Sequence, residues 1–246
     1  NHYVLELVYS KFIKVKNHVK SARTAGIDFG LRNVVALAFN GGRRPILISG
    51  ARLKCINDFY NLKIDRLKSK LSRTSENKSS RQIQNLLRRR SAKLKHELHC
   101  ISKYVVQQLI KSKIGVLVIG RNQGQKQNLN LGRKTNRNFM GIPFHTLTNM
   151  LSYKCAMTGI KVKLQEESYT SKSSALDDDI LPKFEKSKKY KFLGKRIKRG
   201  LYRTANNVLV NADVNGALNI IRKTGVTLTN KAKSYALMPE KVSLTY

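Results

Sequence analysis

Apolar and polar positions alternate from the first residues of the chain, where Tyr3, Leu5, Leu7 and Tyr9 fall on one face of an extended run and Val4, Glu6 and Val8 on the other. That pattern predicts a strand, and the basic stretch Lys11 to Arg23 after it reads as a linker. From Thr24 the signals sharpen. Ala25 to Phe29 reads as a strand, Gly30 as a turn and Val34 to Phe39 as a second strand, and Asn40-Gly41-Gly42 is a hairpin turn into Ile46-Leu47-Ile48. Between Ile56 and Lys113 the period becomes helical. Ile64, Leu67 and Leu71 share one face and, after the polar break Ser72 to Ser80, Ile83, Leu87, Leu94, Leu98, Ile101, Val105 and Leu109 share another, which predicts a long helical hairpin over 57–113. Gly115 to Gly120 is the short apolar run of a buried parallel strand, followed by a polar loop from Arg121 to Asn138. Pro143 opens a helix with Phe144, Leu147, Leu151 and Cys155 in register, Gly159 closes it, and Ile160 to Glu167 makes the next strand. The last predicted helix, Asp213 to Lys223, carries Val214, Ala217, Leu218 and Ile221.

In order, these are three antiparallel strands, helix, strand, helix, strand and helix. This is the α/β, ribonuclease H-like arrangement: a mixed sheet with a helical hairpin insertion (57–113) and a basic insert (173–210) before the last helix. Such a sheet places its first strand centrally with the last helix beside it, so Asp28 and Asp213 converge although remote in sequence. Residues 1–23 read as a residual strand and linker, 24–223 as the main domain and 224–246 as a C-terminal tail. The chain starts at Asn1 and goes straight into a β-prone run, which reads as an N-terminally incomplete protein.

Composition narrows the function classes. An apolar content of 41% is enough for a core, while 49 basic residues against 14 acidic ones leave a formal charge of +35, far beyond what solubility requires. A polyanion is the partner such a charge implies, and nucleic acid is the expected one. Arg81, Arg88, Arg89 and Lys93, with Arg90 and Lys95, cluster on the second predicted helix, where they can track a phosphate backbone. No apolar run approaches the ~20 residues of a spanning helix, so no membrane partner is expected. Cys55, Cys100 and Cys155 form no CxxC pair and read as buried thiols in a reducing compartment.

In so basic a chain, an aspartate presented at a strand edge or helix start beside apolar residues is costly unless a cation meets it. Asp28 in Gly26-Ile27-Asp28-Phe29-Gly30 and Asp213 in Asn211-Ala212-Asp213-Val214-Asn215-Gly216-Ala217 are such residues. Phosphodiester hydrolysis by the two-metal route needs carboxylates from several elements around cations roughly 3.5–4 Å apart, and Mg²⁺ demands a third. The end of the fourth strand offers Gly120 and Arg121 instead of an acid. The next candidates are Glu166 and Glu167, which strand alternation would send to opposite faces. Ordinary readings stand beside these: Asp28 capping a turn, Asp213 at a helix N-terminus, Glu166 or Glu167 paired with lysine, and Asp177-Asp178-Asp179 as a solvated turn.

On these residues the chain resembles the TnpB family, also called OrfB, of insertion-sequence-encoded RNA-guided nucleases related to type V CRISPR effectors. Gly26 to Gly30 is similar to the family's first RuvC motif, Tyr169-Thr170-Ser171-Lys172 to its YTSK segment, and Asn211 to Ile220 to its third RuvC motif. The resemblance implies a RuvC-like fold, a metal-dependent endodeoxyribonuclease, Mg²⁺ or Mn²⁺ as cofactor, guide RNA and target DNA as partners, and a cytoplasmic, nucleoid-associated place in a prokaryote. It makes Asp28 and Asp213 the first and third catalytic acids and metal ligands. The second departs from the pattern. Relatives with a rearranged site carry a glutamate two positions before the YTSK tyrosine, here Glu167, which ranks above Glu166 as the alternative.

Relatives often carry two CxxC pairs between the YTSK segment and the last acid, but Ser173 to Asn211 has no cysteine, so no zinc is expected. It holds Lys183, Lys186, Lys188, Lys189, Lys191, Lys195, Arg196, Lys198, Arg199 and Arg203, interleaved with Tyr190, Phe192 and Tyr202, a mix suited to phosphate contact and base stacking. Gly120, in the place of the usual acid, keeps a second function open: a nuclease-dead, RNA-guided DNA-binding protein or a transposon remnant.

Overall fold

The computed structural model describes residues 5, 7–8, 21–74, 79–121, 132–185 and 188–244. Three strands, β1 (Thr24–Asp28), β2 (Asn33–Phe39) and β3 (Ile46–Ser49), are joined as an antiparallel succession. Two long helices follow, α1 (Ala51–Thr74) and α2 (Arg81–Lys111), then β4 (Val116–Gly120), α3 (Arg133–Met140), α4 (Phe144–Ala156) and β5 (Lys161–Gln165). A small sheet of β6 (Lys195–Lys198), β7 (Leu201–Arg203) and β8 (Leu209–Asn211) precedes α5 (Ala212–Arg222). The described chain ends with α6 (Asn230–Tyr235) and β9 (Glu240–Val242). The main sheet runs β5-β4-β1-β2-β3-β9, with β1 antiparallel to β2 and parallel to β4. The β2–β3 turn needs left-handed backbone at Gly41 (φ 93°) and Gly42 (φ 85°), which a residue without Cβ adopts freely.

Alternation along the strands divides the core between the two faces of this sheet. Val35, Leu37 and Phe39 of β2 point to the face covered by α2 and α4, where Leu98, Ile101, Val105, Leu147 and Leu151 are buried with them. Each such side chain contributes roughly 1.5–3 kcal/mol. The intervening Ala36 and Ala38 point to the other face, against Val214, Ala217, Leu218 and Ile221 of α5. Small residues there let α5 approach closely. A Cβ on Gly26 would lie 2.4 Å from the Ala217 carbonyl oxygen and 2.7 Å from Ile221 Cγ1, so only glycine fits at the centre of β1.

Several expectations need correction. The strand read over residues 3–9 and the linker after it fall almost wholly outside the described residues, as does most of the loop after Arg121. Helix α1 begins at Ala51 instead of 57, and the C-terminal half of α2 covers the sheet, so α2 is as much a wall of the core as an arm of a hairpin. Residues 224–244 are built into the fold: β9 adds a parallel strand beside β3, and Leu228 and Ala236 join the core under α5. Of the cysteines only Cys155 is buried, and that burial pushes its thiol up to about 12. Asp177-Asp178-Asp179 is a turn, exposed at Asp178, but its carboxylates are engaged by the fold. Asp179 Oδ2 accepts from the backbone N–H of Leu193 (2.9 Å), Asp177 Oδ2 from that of Ala205 (2.8 Å), and Asp178 pairs with Arg222 and Lys233.

Because the atom facing Gly26 is helix backbone, it cannot step aside. Gly26→Ala is expected to lower stability by about 1–3 kcal/mol, seen as a drop of several degrees in Tm, and an unchanged melting curve would contradict this close packing.

Candidate active site

Strand β1 ends at Asp28, whose side chain points to the α5 face because Gly26, two residues earlier, does. Across from it Asn211 caps α5, its Oδ1 accepting the N–H groups of Asp213 (3.0 Å) and Val214 (3.2 Å). With Asn211 serving the helix end, the Asp213 carboxylate is left to face the cleft. Glu167 comes from the turn after β5, which ends at Gln165, so both candidate glutamates lie beyond the strand. Glu167 is buried and turned inward. Glu166 turns outward: its Oε2 accepts from the buried Lys223 ammonium (2.6 Å) and its Oε1 from the Ser168 N–H.

Two glycines make the room. A Cβ on Gly120 would lie 2.1 Å from Glu167 Oε1, and one on Gly216 would lie 2.5 Å from Asp28 Oδ2. The glycine at the end of β4, which reads in sequence as a missing acid, is the space into which the Glu167 carboxylate reaches. The loop after Glu167 is pinned by α5. Asn219 Nδ2 donates to the carbonyls of Thr170 (2.9 Å) and Ser173 (2.7 Å), and Asn215 bonds the Ser173 carbonyl (2.8 Å) and the Ala175 N–H (2.9 Å). Both asparagines lie within the Asn211 to Ile220 motif, which assigned them no role; their polar side chains at buried helix positions were the signal available.

Asp28, Glu167 and Asp213 open onto one cleft of about 630 Å³, whose other walls include Arg32, Phe139, Thr170, Ser171, Arg196, Lys198 and Arg199. Burial and the neighbouring charges of Glu167 and Asp213 push the Asp28 carboxyl well above its ordinary value, against the opposing pull of Arg196 and the Phe29 N–H. Glu167 is pushed up to about 7, by burial first and then by Glu166, while Lys223 draws it down. Glu166 lies low because the hydrogen bonds of Lys223 and Ser168 outweigh its partial burial. Asp213 is engaged: Asn33 Nδ2 donates to its Oδ2 (2.8 Å), and Arg196 stands 3.6 Å from its Oδ1. Asn33 went unmarked in the sequence. Among the described residues no three His, Cys, Asp or Glu side chains form a ready-made metal-ligand group. The donor chemistry nevertheless fits a hard divalent cation, because buried carboxylates driven towards protonation are what such a charge relieves.

Of the basic residues singled out in sequence, Arg196, Lys198 and Arg199 line the cleft, and Lys195 faces Arg203 across the β6–β7 pair. Arg81, Arg88, Arg89 and Lys93 are exposed on α2 away from it, with Lys93 over the Tyr60 ring and Arg89 beside a separate groove between α1 and α2. Tyr190 packs edge-on against Tyr169. Tyr202 is not available for stacking: it is fully buried, and its hydroxyl donates to the Lys172 carbonyl (2.8 Å).

The raised Glu167 carboxyl carries a sign. The native state holds a proton there that the unfolded chain releases, so stability falls as pH rises from the ordinary 4.5 towards about 7 and then levels. In cation-free buffer, Glu167→Gln is expected to remove that part of the decline in denaturant midpoint between pH 5 and pH 7. Parallel curves for the two proteins would contradict the placement of this carboxyl.

A family model described as a probable transposase, OrfB_IS605, matches residues 6–126, and a model of the Cas12f1-like TNB domain matches residues 144–220. No curated protein matches the chain. Among solved structures, the cryo-EM structure of the Cas12f1-sgRNA-target DNA complex is similar with a TM-score of 0.57 and 22% identity, over 85% of this chain and 51% of that one. The CRISPR-Cas12f ternary complex is similar with a TM-score of 0.54 and 21% identity, over 85% of this chain and 40% of that one. At these identities the likeness is one of fold, and the chain spans about half or less of the length of those structures. Asp28 lies in the segment matched by the transposase model, and Glu167 and Asp213 in the segment matched by the TNB model; over these two segments the chain is similar to TnpB/OrfB-type proteins.

Proposed function

We propose that the chain carries the nuclease centre of a transposon-encoded, RNA-guided DNA endonuclease. The observation that supports it most is the meeting of three carboxylates from β1, the turn after β5 and α5 in one cationic cleft, two of them raised by burial and by like charge, a cost that a bound cation relieves. Asp28, Glu167 and Asp213 are the residues that would hold Mg²⁺ or Mn²⁺. When bound, such cations supply Lewis acidity towards phosphate oxygens and a water nucleophile near neutral pH, by the two-cation route. Glu166 and Lys223 act on the turn, keeping Glu167 aimed inward. Arg196, Lys198 and Arg199 bind the phosphate backbone, and a phosphodiester offers Arg196 a bidentate partner that draws it from Asp213. Guide RNA and target DNA are the partners in this reading.

The contacts of Arg196 and Asn33 with Asp213 favour a second reading, a DNA-binding protein whose centre stays closed. Cleavage of target DNA by the protein purified with its RNA separates the two. Asp28→Asn and Glu167→Gln are expected to lower the Mg²⁺-dependent rate by about a thousand-fold or more, whereas Glu166→Gln leaves it within about ten-fold. Wild-type protein that binds target but never cuts in Mg²⁺ or Mn²⁺ selects the second reading, and Asp28→Asn protein that cuts like wild type sinks the first. Gly120→Ala, by evicting the Glu167 carboxylate, is expected to lose most of the rate with target binding kept; full activity in this variant would remove Glu167 from the centre.

A further inference from the structure

Beside the cleft lies a cluster of aromatic rings that takes no part in the carboxylate centre. Tyr169, two residues after Glu167, adopts left-handed backbone (φ 63°), a conformation that side-chain-bearing residues seldom take. The turn is held by the Tyr169 carbonyl, which accepts the N–H groups of Lys172 and Ser173, both at 2.9 Å, and by the Glu167 carbonyl, which accepts that of Thr170 at 3.1 Å. Its consequence is directional: Glu167 and Thr170 are buried while the Tyr169 ring stays half-exposed on the rim. Three further rings gather on it. Phe184 stacks at 6.4 Å with an interplanar angle of 27°, Phe192 lies at 5.7 Å, and Tyr190 meets it edge-on at 5.3 Å.

Phe184 is 66% exposed, so folding gains little from it. The charge of the segment that carries three of these rings narrows what can cover them. Residues 183–199 hold nine lysines and arginines and one acid, Glu185, which is paired with Lys188 at 2.7 Å. The Lys172 ammonium stands 5.9 Å from the centre of the Tyr169 ring. An apolar peptide or a second copy of this basic chain would be repelled or left with unmatched charge. A ligand that is both polyanionic and rich in flat apolar faces satisfies rings and lysines together, and an unpaired nucleic-acid strand has that chemistry. A duplex hides its base faces within its own stack.

We propose that Tyr169, Phe184, Tyr190 and Phe192 form a stacking platform for unpaired bases of the DNA strand that occupies the neighbouring cleft. The choice of DNA rests on the nuclease reading above. The platform begins where the cleft ends: Thr170 and Ser171 line the cleft, and Tyr169 precedes them in the chain. Stacking one base there fixes the strand relative to Glu167 without reading its sequence, because every base has a π face.

Fluorescence anisotropy in EDTA tests this without any chemistry at the carboxylates, so a chain that fails to cut leaves the result readable. The probes are a thymidine strand of about twelve nucleotides, within the span of such sites, the same backbone made abasic, and the matching uridine strand. Phe184→Ala is expected to weaken the thymidine strand by about five- to twenty-fold and the abasic strand by less than about two-fold, with Phe184→Trp restoring the affinity. Equal losses on both DNA strands, or no loss from a variant whose melting curve matches wild type, overturns the platform. A loss confined to the uridine strand overturns the assignment to DNA.

Discussion

Everything at the candidate centre depends on holding carboxylates of like charge side by side with little water around them. Such a cluster opposes folding, and the chain meets it with exclusion of bulk. Gly26 brings α5 against β1, Gly216 gives the Asp28 oxygen its place, and Gly120 does the same for Glu167. With any of these filled by a Cβ, the acid or the helix beside it must move. The opposing interactions come from α5 and its C-terminus, where Asn215, Asn219 and Lys223 fasten the turn that delivers Glu167. One helix therefore supplies Asp213, accommodates Asp28 and positions Glu167.

The basic excess of the chain acts around this centre in two ways. At short range, Arg196 balances Asp213 and lowers the cost of Asp28. At long range, the lysines and arginines of the insert and α2 give a field that gathers a polyanion, at a strength that falls with salt. The insert has no cysteine, and its small sheet is tied to the core by the buried Tyr202 and by Asp177 and Asp179, whose carboxylates accept backbone N–H groups.

The succession of strands from β1 to β5 was legible in the sequence because period-2 and helical runs are separated by clear turns, and strong apolar runs such as Val34 to Phe39 and Gly115 to Gly120 have one reading in that order, whereas the small sheet of β6 to β8 was not read. Asp28 and Asp213 stood out for the same reason, each being charged within an apolar run. Glu167 was harder. It was reachable through the family resemblance, which puts a glutamate two positions before Tyr169, whereas the room for its carboxylate depends on Gly120, a residue 47 positions earlier that lacks a side chain. Tyr202 was misread because an aromatic among lysines looks the same in sequence whether its ring faces bases or the core. The end of the chain was read as a tail because β9 is only three residues long, and its parallel partner β3 lies nearly two hundred residues away, which no local pattern reports.

In a crystal soaked in Mn²⁺, anomalous scattering locates the cation. A peak bounded by the carboxylates of Asp28 and Glu167 is expected, with Arg196 drawn away from Asp213. A peak remote from Asp28, or one at Asp28 with the Glu167 side chain turned out of the space beside Gly120, would contradict a cation centre built on these residues.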